Sequence, residues 1–251
     1  MLDTVKELSL LCGTSGRETK IREYIISRID GKCEWHEDAL GNIIAFKKGR
    51  KPATHKVMLD AHMDEVGVIA TFINSDGTIK FSPVGGINTK VLLARQIVFD
   101  NGTVGVVGIK PIHLSKGDEK TKIPAADSLY IDIGASSKEE ASEYVKIGDT
   151  GVFLSDYREF GDCKIKGKAL DDRAGCAILL DMIDSDLPYD AYFSFSVQEE
   201  IGLRGAAASA YGIDPEYAIV LETTTAADLI DVPEHKKVCI LGNGAAVSFM
   251  D

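Results

Sequence analysis

Short apolar runs that end close to a histidine or a carboxylate constrain the fold of this chain more than any other feature. Three such runs occupy residues 56–61, 192–197 and 217–221, and they are followed by His62, by Glu199 and Glu200, and by Glu222. Runs of this length, alternating with helical patterns over 172–182 and 204–211, are typical of buried strands in a parallel or mixed sheet. Ligands bind open α/β sheets outside the carboxyl ends of the strands. The sequence therefore predicts an α/β fold with its site at that edge.

The N-terminal region is predicted to form two helices. Val5, Leu8 and Leu11 recur at helical spacing. Ser15 and Glu18 then match an S-x-x-E capping box, which predicts that a second helix begins there and runs to about residue 30.

The sequence texture changes between residues 66 and 163. Short β-like runs and frequent turns replace the helical patterns, and Asn101-Gly102 is a strong two-residue hairpin signal. One helical pattern, over 137–144, interrupts them. We therefore predict a small β-rich, barrel-like domain over 65–163, inserted into an α/β domain that comprises residues 1–64 and 164–251.

Composition narrows the range of functions. The formal net charge is −11 and is spread along the chain, which disfavours binding to nucleic acid or anionic lipid. The five cysteines form no C-x-x-C pair and are expected to be reduced and mostly buried. The N-terminus lacks a signal peptide's basic start and apolar run. These features predict a cytoplasmic protein.

The first candidate site residues are a histidine and three aspartates. Imidazole is a common zinc ligand, and Asp64 is placed to accept the second ring proton of a metal-bound His62. The alternative is that His62 is a structural hydrogen-bonding residue. Asp171 and Asp172 precede a predicted helix, where an ordinary N-cap is the alternative, and we keep that interpretation for Asp172. Asp171 could instead bridge two metal ions.

The remaining candidates are glutamates at strand ends. Two adjacent carboxylates, Glu199 and Glu200, repel each other and are costly to desolvate. A solvated turn is the alternative, but Ile201-Gly202-Leu203 follows directly and suggests partial enclosure. Glu222 offers a further oxygen ligand. Each feature is ambiguous alone, whereas together they predict a histidine–carboxylate site shared by several strand ends.

Four motifs resemble one family, the glutamyl-aminopeptidase-type dinuclear metallopeptidases, which include TET aminopeptidases and FrvX-like and CelM-like proteins. The motifs are LDAHMDEVG (59–67), GKALDDRAGC (167–176), SVQEEIGLRGA (196–206) and VLETTTAAD (220–228). SPVGGINTKVLLARQIV (82–98) and GIKPIHL (108–114) also resemble the family. The resemblance covers essentially the whole chain in order.

The resemblance implies an aminopeptidase with two divalent metal ions per subunit, zinc, cobalt or manganese. His62 and Glu222 would bind one ion, and Glu200 the other. Asp171 would bridge the ions through a cis peptide to Asp172. A general base, Glu199, would act on a metal-bridging water, and Asp64 would orient His62. The inserted domain would assemble the chain into a homo-oligomer, with dimers forming a larger hollow complex.

One departure from the family pattern concerns the second metal. The family supplies a final histidine ligand from a segment beyond the equivalent of Asp251, so the chain is expected to be C-terminally incomplete, with a weakened second site. His235 and His113 lie in other motif contexts and are not expected to replace that ligand.

Three other functions remain open at this point. A co-catalytic metal deacylase or carboxypeptidase could use the same ligands on a different amide. A cellulase-type glycosidase could use a pair of carboxylates without metal. A non-catalytic assembly subunit is the third alternative.

Overall fold

The computed structural model describes residues 1–114, 123–237 and 239–248, and the predicted strand ends lie in a five-stranded mixed sheet. The strands lie in the order β1 (Glu34–Glu37), β2 (Ile43–Lys47), β12 (Ala191–Ser196), β3 (Val57–His62) and β13 (Tyr217–Val220). β3 is parallel to both β12 and β13, whereas β2 is antiparallel to β1 and β12. The carboxyl ends of β3, β12 and β13 therefore meet at one edge.

Helices cover both faces of this sheet. Helices α1 (Leu2–Leu10), α2 (Thr19–Ile29) and α4 (Leu170–Asp184) share one apolar core with the sheet, and α5 (Arg204–Ile213) packs on the opposite face. Strand β3 alternates between them, since Leu59 and Ala61 belong to the first core and Met58 contacts the second. The predicted fold class is confirmed.

The region between the two halves of the sheet forms a closed six-stranded barrel with its own apolar core. Its strands are β4 (Gly67–Ile73), β5 (Ile79–Val84), β8 (Leu129–Asp132), β7 (Val104–Ile109), β6 (Gln96–Phe99) and β9 (Thr150–Phe153). Helix α3 (Lys138–Tyr144) packs on it, and a two-stranded ribbon, β10 (Arg158–Phe160) and β11 (Lys164–Lys166), follows. The ribbon crosses the predicted boundary at 163/164, and the two-domain division stays a prediction.

Two local predictions are wrong. Helix α2 begins at Thr19, and no side chain of the described residues caps it, so Ser15 and Glu18 do not form a capping box. The cysteines, which are all free thiols, are not mostly buried: Cys176 is buried, Cys163 is exposed and the other three are half-buried.

In the described part of the chain, no helix combines the length and the apolar character needed to cross a membrane.

Candidate metal centre

The predicted site residues meet at the edge of the sheet where the parallel strands end. His62 closes β3, and its Nε2 lies 3.1 Å from Asp171 Oδ1 and 3.3 Å from Glu222 Oε1. Glu199 Oε2 is 3.8 Å from the same nitrogen. All these side chains come from segments distant in sequence, so the parallel strand order creates the cluster.

Within residues 1–114, 123–237 and 239–248, donor atoms form two groups that could each hold a metal ion. One comprises His62, Asp171 and Glu222, and the other comprises His62, Glu199 and Glu200; within each group, the ligand atoms lie within 4.8 Å of one another. Imidazole nitrogen and carboxylate oxygen suit zinc, cobalt and manganese. The predicted ligands therefore fit divalent cations, although the second group contains the predicted base, Glu199.

His62 is 2% exposed, and carboxylates surround its ring. Burial by itself lowers the pKa of the imidazole, but hydrogen bonds to Asp171, Asp64 and Glu222 outweigh it and hold the pKa far above its usual range. His62 Nδ1 faces the main-chain oxygen of Asp64 at 3.1 Å and its carboxylate Oδ1 at 3.5 Å. These contacts favour a proton on Nδ1, which leaves Nε2 available to a metal.

Asp64 is fully buried, and its carboxylate makes its shorter contacts elsewhere. Oδ1 accepts the backbone N–H of Glu199 at 2.9 Å, and Oδ2 accepts the backbone N–H of Glu200 at 3.2 Å. Oδ2 also accepts the Ser15 hydroxyl at 2.5 Å. Burial raises the pKa of Asp64, but these bonds and His62 outweigh it and lower the pKa overall. Asp64 thus anchors the turn that carries both glutamates.

The other carboxylates divide by environment. The hydrogen bond with His62 lowers the pKa of Asp171 to about 2. Burial raises the pKa of Glu200 to about 7, and it raises the pKa of Glu199 and Glu222 as well. A cluster in which three carboxylates lose their protons reluctantly is one that a cation would stabilise.

Asp171 and Asp172 lie at an irregular start of α4. Their peptide bond is cis, as the family resemblance implied, and both residues have non-helical backbone angles. Asp172 Oδ1 accepts the N–H of Gly175 at 3.0 Å, which confirms the predicted capping contact. Burial and the nearby Glu222 raise the pKa of Asp172 to about 8.

A buried ionic network, which the sequence analysis did not predict, lies behind the site. Glu65, directly after Asp64, is 3% exposed, and its Oε1 lies 2.7 Å from Lys168 Nζ and 3.5 Å from Arg173 Nη2. The N–H of Gly13 donates to the same oxygen at 3.2 Å. This network joins the end of β3 to the start of α4.

All six predicted site residues are thus brought together, while their individual roles stay predictions. His113 and His235, set aside on sequence grounds, are exposed and belong to neither donor group. The sequence analysis did not predict the contacts of Ser15 with Asp64 and of Glu18 with the N–H of Gln198. Their only sequence signal was the S-x-x-E spacing, which predicted a helix cap.

Comparisons with known proteins agree with the fold. The family model of the M42 glutamyl aminopeptidases matches residues 41–251. The lysyl aminopeptidase of Pyrococcus furiosus is 36% identical over 250 residues, which are 94% of this chain and 71% of that protein.

Two solved structures are similar in fold. A TET aminopeptidase from a marine sediment archaeon of the Thaumarchaeota has a TM-score of 0.90 at 34% identity, covering 97% of this chain and 70% of that one. The TET1 peptidase of Pyrococcus horikoshii, which can assemble into a tetrahedron or a large octahedral shell, has a TM-score of 0.78 at 35% identity, covering 90% and 70%. The chain belongs to the M42 glutamyl aminopeptidase family.

Proposed function

We propose that this protein is a metal-dependent aminopeptidase that hydrolyses the N-terminal residue from peptides. The observation that carries the proposal is the position of His62 Nε2, within 3.3 Å of carboxylate oxygens of both Asp171 and Glu222. Glu199 and Glu200 complete a cluster of nitrogen and oxygen donors at the strand ends. Family membership supports the same activity.

The chain's own residues suit two divalent cations. His62 and Glu222 would hold one cation, Glu200 would hold the other, and Asp171 would contact both. When bound, such cations supply Lewis acidity, which lowers the pKa of water and polarises the peptide carbonyl. Asp64 keeps the Nδ1 side of His62 occupied and so presents Nε2 to the site.

Glu199 is the proposed general base. Its side chain is 26% exposed, so it can reach a substrate, and the bond from its N–H to Asp64 fixes its backbone. Burial raises the pKa of Glu199 above its usual value, which makes the carboxylate a better proton acceptor near neutral pH. Glu199 takes a proton from the attacking water and passes it to the leaving amine nitrogen.

The charge of the site favours substrates with a free amino terminus. Five carboxylates converge here, against four positive charges on two divalent cations. The remaining negative charge favours an α-ammonium group over an acylated nitrogen. This balance is the basis for expecting removal of terminal residues over cleavage inside a chain.

The test compares amino-acid p-nitroanilides with their N-acetyl counterparts, N-acyl amino acids and carboxymethylcellulose. We expect hydrolysis of the free-amine substrates alone, loss of activity with a chelator, and recovery with Zn²⁺, Co²⁺ or Mn²⁺. Hydrolysis of N-acyl amino acids would indicate the deacylase or carboxypeptidase alternative. Chelator-resistant cleavage of the polysaccharide would indicate a glycosidase. Inactivity on all substrates, together with no cation bound at saturating Zn²⁺, would indicate an assembly subunit.

We also propose that the barrel mediates homo-oligomerisation. On β7, Val104 and Val106 are 43% and 42% exposed and alternate with buried Gly105 and Val107, so they present an apolar outer face. The shells formed by the TET1 peptidase support the proposal. Val106→Lys is expected to lower the oligomer mass in multi-angle light scattering. The matched change at Leu10, which is 46% exposed on α1, is expected to leave it unchanged.

A further inference from the structure

The segment Ser15–Glu18 has contacts that its sequence pattern does not explain. In a capping box, both side chains would bond the first turn of α2. Instead, the Ser15 hydroxyl donates to Asp64, 49 residues away, and Glu18 Oε1 accepts the N–H of Gln198, 180 residues away. Both side chains therefore contact the segments that carry the proposed ligands and base.

Ser15 bonds the Asp64 carboxylate, which also accepts the backbone N–H groups of Glu199 and Glu200. Ser15 is 8% exposed and Asp64 is fully buried, so water does not substitute freely for this bond. Asp64 Oδ2 accepts both the Ser15 hydroxyl and the N–H of Glu200. Because these bonds fix the carboxylate plane, Oδ1 stays directed at the N–H of Glu199.

Glu18 holds the other end of the same turn. Its Oε1 accepts the N–H of Gly16 at 2.7 Å and the N–H of Gln198 at 3.2 Å, and the residue is 4% exposed. Gln198 has a φ of 56°, a left-handed conformation that a glutamine rarely adopts. The bond from Glu18 stabilises this conformation immediately before Glu199 and Glu200.

We propose that Ser15 and Glu18 are positioning residues that fix the Gln198–Glu200 turn, Ser15 through Asp64 and Glu18 directly. The expected effect on catalysis rests on the proposed function, because the turn carries the proposed base, Glu199, and the proposed ligand, Glu200. Small displacements of such groups reduce rates strongly, while the binding of remote parts of a substrate changes little.

The test compares Ser15→Ala with the matched variant Thr14→Val. Thr14 is also fully buried in this segment, and its hydroxyl has no hydrogen-bond partner among the described residues. We expect Ser15→Ala to speed hydrogen–deuterium exchange of the amides of residues 198–200 about tenfold in the metal-free protein, since a lost bond of ~1.4 kcal/mol is a factor of ten. Thr14→Val is expected to leave that exchange unchanged.

Activity provides a second measurement. We expect Ser15→Ala to lower kcat about tenfold or more with KM nearly unchanged, and Ser15→Thr, which keeps the hydroxyl, to restore much of it. If Ser15→Ala does not fold, Glu18→Gln and Glu18→Leu replace it. The glutamine keeps an acceptor for Gln198 and should behave like the wild type, whereas the leucine should reproduce the exchange and kcat effects.

The outcomes separate this inference from the proposed function. If the wild-type protein has no aminopeptidase activity but Ser15→Ala still speeds exchange at 198–200, the positioning role is supported and the aminopeptidase proposal is rejected. Unchanged exchange and unchanged kcat in folded Ser15→Ala, in an active enzyme, would overturn the positioning role and leave the aminopeptidase standing. A uniform rise in exchange across the sheet would also overturn it, because it would indicate general loosening.

Discussion

Asp64 Oδ1 accepts a hydrogen bond from the backbone N–H of Glu199 at 2.9 Å, although the two residues are 135 positions apart in the chain. The end of β3 thereby fixes the turn after β12. Because the Asp64 main-chain oxygen also faces His62 Nδ1, one residue couples the proposed ligand His62 to the proposed base. The geometry of the site therefore depends on the contacts of Asp64 with both His62 and Glu199.

Replacing Asp64 with asparagine tests this coupling. The amide can accept through one oxygen only, so its NH₂ group would oppose the N–H of Glu199 or Glu200. We expect kcat/KM to fall by about 10- to 100-fold, with weaker metal affinity. Steady-state kinetics and metal titration measure the two effects. Asp76→Asn, at an exposed turn of the barrel, is the control, and an equal loss in both variants would contradict the prediction.

Glu199→Gln and Glu200→Gln should separate the base from the ligand. Removing the base is expected to lower kcat by about 10²- to 10⁴-fold while the protein keeps both cations. Removing the ligand is expected to release one cation equivalent per subunit. Metal analysis after dialysis, combined with kinetics, distinguishes the two. If Glu199→Gln lost a cation while Glu200→Gln kept both, the assigned roles would be reversed, and the donor group of His62, Glu199 and Glu200 makes that outcome a real test.

The strand-end residues could be predicted from the sequence because local pattern and topology coincide there. Apolar runs of strand length predict parallel strands, and parallel strands bring their carboxyl ends to one edge, so His62 and Glu222 were expected at the same edge of the sheet. The adjacency of β3 and β13, which makes the two residues neighbours, had no signal in the sequence. The hairpin signal at Asn101-Gly102 predicted the pairing of β6 with β7. Closure of the barrel between β6 and β9 is a long-range pairing with no local signal.

The contacts of Ser15, Glu65 and Arg173 were not predictable for a related reason. An S-x-x-E spacing has the same appearance whether the side chains cap a helix or reach a distant turn. Arg and Glu are almost never fully buried unless they are paired, so single residues of either type suggest an exposed surface. Their partners lie 49 to 165 positions away, a separation at which a single sequence carries no pairing information.

Metal affinity is expected to fall as the pH falls through 7. In the metal-free protein, burial raises the pKa of Glu200 to about 7, and its carboxylate neighbours hold the pKa of His62 above the neutral range. A cation must therefore displace the His62 proton at every pH near neutrality, and the Glu200 proton as well below pH 7. For each displaced proton, the apparent metal affinity falls about tenfold when the pH decreases by one unit. The affinity should therefore fall more steeply with decreasing pH below pH 7 than above it.

Calorimetric titration with Zn²⁺ in buffers of different ionisation enthalpy measures the number of protons released. We expect about one more proton at pH 6 than at pH 8. Glu200→Gln cannot release that proton, so the difference between its proton counts at pH 6 and pH 8 should be about one proton smaller than that of the wild type. Equal release by the wild type at pH 6 and pH 8 would contradict the assigned titration of Glu200.

Arg173→Met is expected to destabilise the metal-free protein by about 3–5 kcal/mol, because it removes one partner from a buried ionic network. Arg173 is fully buried, and its Nη1 also donates to the Leu8 carbonyl at 2.7 Å. Among the described residues, the variant leaves Glu65 with Lys168 as its charged partner. Urea unfolding measures the loss. The control is Lys237→Ala in the surface pair with Glu234, which should change the free energy of unfolding by less than about 1 kcal/mol.

The same variant tests how the network affects the site. Arg173 follows the Asp171–Asp172 pair directly and ties the start of α4 to Glu65, the residue after Asp64. Loss of this contact should weaken binding of the cations that Asp171 would contact even where the protein remains folded, because ligand geometry depends on the supporting residues. Cation affinity measured well below the unfolding transition should therefore fall by about tenfold or more. Unchanged affinity in a folded but destabilised Arg173→Met would confine the network to a structural role.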